Sequence, residues 1–231
     1  MMLAINGIPV VAIELKNQLT GQTVDNAKLQ WQYDRDQREP AFWLNHRILA
    51  YFAVDLYEAW MTTELKGTDT YFLPFNQGSN GAGNDGGAGN PQAEGDNYVT
   101  SYIWENVLQK DSLLDIIQKF ISFEVKTEKK DGKNVTKKRL IFPRFHQLDV
   151  VRKLIADVRE NGSGNNYLIQ HSAGSGKSNS IAWIAYRLAS LHNDDNEPVF
   201  TSVVIVTDRR NLDSQLQETI TGFDHTLGSV C

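Results

Sequence analysis

Gln170-His171-Ser172-Ala173-Gly174-Ser175-Gly176-Lys177-Ser178 is the stretch on which the reading of this chain turns. Gly174 and Gly176 let the backbone bend tightly, so that successive N–H groups turn toward an anion. Lys177 is placed to reach the β- and γ-phosphates of a nucleotide, and the Ser178 hydroxyl to hold Mg²⁺. Tyr167-Leu168-Ile169 before the loop reads as a short buried strand. After it, Ile181, Ile184, Ala185, Leu188 and Leu191 recur at helical spacing, so the loop opens a helix whose N-terminus favours phosphate. His171 stands where the pattern G-x-x-x-x-G-K-[ST] has its first glycine. The shorter form, small-x-Gly-x-Gly-Lys-Ser, is intact. A Gly/Ser-rich loop with no ligand would leave the Lys-Ser pair at the helix start unexplained. Ser172, Ala173, Gly174, Ser175, Gly176, Lys177 and Ser178 are therefore the expected ATP-binding residues.

Working outward, Gln147 to Glu160 reads as a helix with Val150, Val151, Leu154, Ile155 and Val158 on one face. Val203-Val204-Ile205-Val206 is apolar on both faces, as a central parallel strand must be. A last helix places Leu212, Leu216 and Ile220 at four-residue spacing. The order α-β-loop-α-β-α is the start of a doubly wound parallel sheet.

The chain before this divides differently. Leu3-Ala4-Ile5 and Val10-Val11-Ala12-Ile13 flank Asn6-Gly7, a hairpin signal in which both turn positions need positive φ. Thr23 to Tyr33 reads as a helix with Val24, Ala27 and Trp31 on one face, and Ile48 to Val54 and Ala59 to Thr63 as strands. Gln77 to Asn97 concentrates glycine and asparagine and cannot build a core, so it is expected to be a flexible surface loop. Ser112 to Ile121 is a short helix with Leu113, Leu114, Ile117 and Ile121 inward and Asp111 or Ser112 as cap. Lys126 to Arg139 carries seven Lys or Arg residues around Asp131-Gly132. It is either a solvated hairpin tip or a contact for DNA phosphates.

Composition bounds the rest. A chain of 231 residues, 41% hydrophobic, is one large or two small domains with a real core. A net charge of −5 argues against a wholesale nucleic-acid coat but leaves room for a local basic patch. The single cysteine, Cys231, allows no internal disulfide, which suits a reducing, cytoplasmic location. No apolar run reaches the roughly 18 residues of a membrane span. The N-terminus lacks the basic region of a signal peptide.

Glu14-Leu15-Lys16 is a second chemical motif. Glu and Lys two apart on a strand share a face, and a metal-dependent nuclease needs a carboxylate for Mg²⁺ and a lysine beside the attacking water. E-x-K is also common on exposed strands. Its place after a tight hairpin, with Gln30 and Tyr33 on the following helix, is what raises it.

Taken together these blocks resemble the motor and nuclease (R) subunit of type I restriction enzymes. Asn6-Gly7-Ile8-Pro9-Val10 leading into Ile13 to Asn17 resembles its nuclease core. Leu73 to Gly78, Thr100 to Trp104 and Asp111 to Asp115 resemble the segment between nuclease and motor. Phe142 to Gln147 resembles the Q motif, whose glutamine reads adenine. Gln170 to Ser180 resembles helicase motif I, in the short form usual in superfamily 2 helicases. Val204 to Leu212, with Thr207-Asp208-Arg209-Arg210, resembles motif Ia.

The resemblance implies an α/β chain: a truncated PD-(D/E)xK-type nuclease core followed by the first part of a RecA-like P-loop parallel-sheet domain. The parts would be a partial endonuclease domain at 1–75, a Gly/Asn-rich linker at 76–97, a connecting segment at 98–140 and the motor domain at 141–231. It implies Glu14, Lys16, Gln30 and Tyr33 as nuclease residues, with Glu14 and Ser178 on metal. Gln147 would sit on adenine, supported by Phe142 or Phe145, with a polar residue capping the Gln147–Glu160 helix as the alternative. Arg209 and Arg210 would contact DNA.

ATP and Mg²⁺ would be the cofactors. Duplex DNA and the modification and specificity subunits would be partners, with no membrane. The family's metal-binding Asp falls just before Met1 and its Walker B carboxylates after Cys231. The expectation is therefore an internal piece of a longer subunit, inactive alone. A non-catalytic nucleotide-binding module and a DNA-repair helicase are the alternatives.

Overall fold

A computed structural model of the chain describes residues 1–79, 87–93, 95, 97–130, 133–207, 216–217 and 220. It divides into two units, Met1–Arg144 and Phe145–Cys231.

The first unit is built on a sheet in the order β1-β2-β3-β4-β5: Met2–Ile5, Ile8–Leu15, Ala50–Val54, Ala59–Thr62 and Leu73–Pro74. The β1–β2 hairpin turns at Asn6 and Gly7, with φ of 50° and 80°, the left-handed pair that a two-residue turn demands. β2 and β3 run parallel, with Ala12 opposite Tyr51 and Glu14 opposite Ala53; the other pairs are antiparallel. A parallel pair needs a crossover, and α1 (Val24–Tyr33) lies in it. This explains why β3 is buried along its whole length.

One face of the sheet, with Ala12, Tyr51 and Ala53, packs on Val24, Ala27 and Trp31 of α1, the face that the periodicity predicts. The Trp31 indole N–H donates to the Phe52 carbonyl at 3.0 Å. The other face stacks Phe52 on Phe75 and Phe142, with centroids 5.1 and 6.0 Å away. Asp55, buried at the end of β3, accepts from the Val24 amide at the start of α1 and from Tyr57 and Glu58.

One expectation for this unit is revised. The second helix, α2, is Lys110–Lys119, capped by the Gln109 side chain, which accepts from the Asp111 and Ser112 amides. Its inward stripe is Leu113, Ile116 and the following Phe120, whereas Leu114 is 42% exposed. The i, i+3 step to Ile116, not the i, i+4 step to Ile117, points to the core.

The Gly/Asn-rich segment is tied at its described ends. Gly78 N–H donates to Gly89 O, and the Asn90 side chain bonds Gln77, Tyr57 and Asn76. Beyond α2, β6 (Ser122–Lys130) and β7 (Lys133–Ile141) form the expected hairpin, a two-stranded ribbon; Asp131-Gly132 lie outside the described residues.

The second unit packs α3 (Phe145–Asn161) on α4 (Lys177–Ala189). From α3, Gln147, Leu148, Val151, Ile155 and Val158 are buried, so Val150 and Leu154 sit at the margin of the face. From α4 the buried residues are Ser180, Ala182 and Trp183, with Leu191 just beyond; Ile181 is exposed. The large Trp183 indole, left out of the aliphatic pattern, sets that face.

The parallel sheet expected here is not formed among the described residues. Tyr167–Ile169 and 203–206 carry no β-ladder. Leu168 is 93%, Val204 81% and Val206 87% exposed. An apolar run becomes a central strand only where neighbouring strands take up its N–H and C=O groups, and no described segment pairs with either run. Among the described residues, the parallel strands of this mixed α/β chain are β2 and β3. Of the last helix, Leu216, Gln217 and Ile220 are helical and Leu216 is buried; Leu212, Arg209 and Arg210 lie outside the described residues.

Candidate nucleotide site and the Glu14 cluster

The glycines of the 170–178 loop do what their chemistry allows. Gly174 has φ of 73° and Gly176, the N-cap of α4, has φ of 80°. An added Cβ at Gly174 would meet nothing within 4 Å, so only the left-handed backbone demands glycine there. The first hydrogen bonds into α4 run from Asn179 and Ser180 to the Gly176 carbonyl, which leaves the Lys177 and Ser178 amides ahead of the helical ladder. Lys177 curls back: its ammonium donates to the His171 and Ser172 carbonyls at 3.2 and 2.9 Å. Ser172, Ala173 and Gly174 are exposed and Ser178 is half-buried at the helix start. The Ser175 and Ser180 hydroxyls are buried with no hydrogen-bond partner among the described residues.

α3 buttresses the loop. The Gln147 amide, only 3% exposed, donates to the Gly176 carbonyl at 2.9 Å. His146 Nε2 lies 3.0 Å from the Ser175 carbonyl, which makes it the protonated ring nitrogen. The His146 and His171 rings meet edge-to-face at 4.8 Å. His146 had no role from sequence. Its contact with the loop, 29 residues away, is a product of the α3–α4 packing. Phe142 is committed to the Phe52–Phe75 core of the first unit.

In the first unit, Glu14 and Lys16 follow Ala12 on the α1 face of the sheet. The Lys16 ammonium donates to Gln30 Oε1 at 2.5 Å. Glu14 accepts from Arg35 Nη2 at 2.9 Å, and the same guanidinium lies 5.6 Å from the Trp31 ring centroid. Lys16 and Gln30 are thus in contact, while Glu14 pairs with Arg35. Tyr33 is exposed and takes no part in these contacts. Arg35 was missed because it lies in a charged run just past the end of α1, where nothing in the spacing indicates an inward turn. Among the described residues, no group of three or more His, Cys, Asp or Glu could hold a metal ion. Among the described residues, no helix is long and apolar enough to cross a membrane.

Comparison with known proteins bears on both units. A model of the SWI2/SNF2 ATPase family matches residues 146–229. That match takes in α3 from His146 onward, the 170–178 loop and α4. The chain is also 25% identical, over 94% of its length, to a putative type I restriction enzyme MjaVIIIP endonuclease subunit of Methanocaldococcus jannaschii. It spans about a fifth (19%) of that relative. No solved structure matches. The chain is thus similar, distantly, to an ATPase and to a restriction-enzyme subunit.

Proposed function

We propose that this chain acts as part of an ATP-driven DNA translocase and endonuclease of the type I restriction kind. Such an enzyme works on unmodified duplex DNA together with modification and specificity subunits. The observation that carries the proposal is the left-handed Gly174–Gly176 turn delivering Lys177 and Ser178 to the first turn of α4. The likeness to an SWI2/SNF2 ATPase and to a restriction-enzyme subunit supports it.

The chemistry assigned to the loop is phosphate capture. Amides at the start of α4 face the anion, and the helix dipole adds to their pull. Lys177 already stands over the mouth of the loop and exchanges carbonyl oxygens for phosphate oxygens. Gln147 and His146 hold the loop carbonyls from behind. Bound Mg²⁺ would neutralise phosphate charge, and Ser178 is the side chain that would hold it.

The Glu14 cluster supports a nuclease-like part in a resting arrangement. Its single carboxylate is neutralised by Arg35 and does not make a metal site with the residues described, so no hydrolytic step is derived there.

The test is calorimetric titration of the chain with Mg-ATP. Binding is expected, and Lys177→Ala should weaken it by about 1.5–3 kcal/mol, roughly 10- to 150-fold, the range for a charge-assisted contact. No binding by the parent chain, or equal binding by the variant, would refute the assignment.

A further inference from the structure

The β6–β7 ribbon lies outside both clusters. Residues 122–141 hold seven of the chain's 23 basic residues and three of its 28 acidic ones, in a chain of net charge −5. Positive charge is therefore gathered into one element. The root of the ribbon is fixed. Leu140 and Ile141 are buried, and the Thr63 hydroxyl donates to the Leu140 carbonyl at 2.9 Å. From the Glu124–Arg139 pair outward, Lys126, Lys129, Lys137, Lys138 and Arg139 are exposed.

The register sets the charges. Lys126 stands opposite Lys137, next to the Glu124–Arg139 pair, on one face. Lys138 and Lys129 stand on the other, on either side of Thr127 and Thr136, whose hydroxyls lie 3.2 Å apart. Basic side chains thus stand on both faces of the ribbon.

We propose that this ribbon is a contact for the phosphate backbone of duplex DNA, separate from the nucleotide loop. Nine-residue strands make an arm about 30 Å long. A two-stranded ribbon fits the DNA major groove, about 12 Å wide. Basic groups on both faces suit an element with phosphates on both sides. The exposed side chains are mostly lysines and threonines, so the contact follows charge and not base sequence.

The test is fluorescence anisotropy of a labelled duplex of arbitrary sequence titrated with the full chain, without nucleotide, between about 50 and 200 mM salt. The parent should bind with a falling log–log salt dependence. The Lys126→Gln, Lys137→Gln, Lys138→Gln triple variant should bind at least about ten-fold more weakly, with a salt slope smaller by about 2.7, three contacts at 0.9 each. Replacing the same lysines with arginine should keep both affinity and slope. An unchanged circular dichroism spectrum and unchanged Mg-ATP titration in the glutamine variant would separate loss of the arm from misfolding and from failure of the nucleotide reading. The proposal is overturned if the parent does not bind DNA, or if the triple variant matches it. Equal binding of poly-glutamate or anionic vesicles by the parent would also overturn it.

Discussion

Gln147 offers the sharpest test of how the nucleotide loop works, because sequence and structure give its side chain different work. The family resemblance puts it on adenine; the structure shows its amide on the Gly176 carbonyl, 2.9 Å away and almost wholly buried. Gln147→Leu keeps the side chain's bulk and removes the bond. The Gly176 carbonyl is not orphaned by the change, since Asn179 and Ser180 also donate to it, at 3.1 and 3.4 Å. Removing that bond costs about 1 kcal/mol, or roughly five-fold in affinity. If Gln147 serves the loop, that loss falls equally on ATP, GTP and pyrophosphate, none of which needs to show the protein a particular base. Calorimetric titration of all three against parent and variant reads the difference. A loss confined to ATP, with GTP and pyrophosphate unchanged, would refute loop support and establish base recognition.

Two buried tyrosines of the first unit should respond in opposite ways. Tyr51 has a hydroxyl with no hydrogen-bond partner among the described residues, whereas the Tyr102 hydroxyl donates to the Phe75 carbonyl at 2.8 Å. Tyr51→Phe should stabilise by about 1 kcal/mol and Tyr102→Phe destabilise by a similar amount, read as urea midpoints. Burial pushes both phenols above the usual tyrosine range, with an Asn90 contact offsetting part of this for Tyr102. The unfolded phenols ionise near pH 10 while the folded ones stay protonated. Stability is therefore intact below about pH 10 and falls above it by about 1.4 kcal/mol per pH unit for each phenol, and Tyr51→Phe should remove one such share. Plasmid incubated with this chain and Mg²⁺ should stay supercoiled; nicking that Glu14→Ala abolishes would show that the Glu14–Arg35 pair does not hold the cluster at rest.

Local chemistry made much of this readable. Asn6-Gly7 demanded its turn, the Val24, Ala27, Trp31 spacing gave the buried face of α1, and the glycines before Lys177 announced a left-handed loop opening a helix. What escaped depends on partners distant in sequence. Arg35 reaches Glu14 only because α1 crosses from β2 to β3. Gln109 caps α2 although glutamine is not among the residues usually expected there. The apolar runs around Leu168 and Val204 look like central strands by composition, but a strand is made by its neighbours, and composition does not say whether they are present.

Asp55 shows what such distance means for the way the fold is tied together. The first turn of α1 is held by a carboxylate 31 residues further on, itself fixed by the bend between β3 and β4. A peptide spanning α1 alone would lack that acceptor and keep only the local bond from the Thr23 amide to Asn26 Oδ1. Asp55 thus makes the start of the helix and the end of β3 one hydrogen-bonded unit.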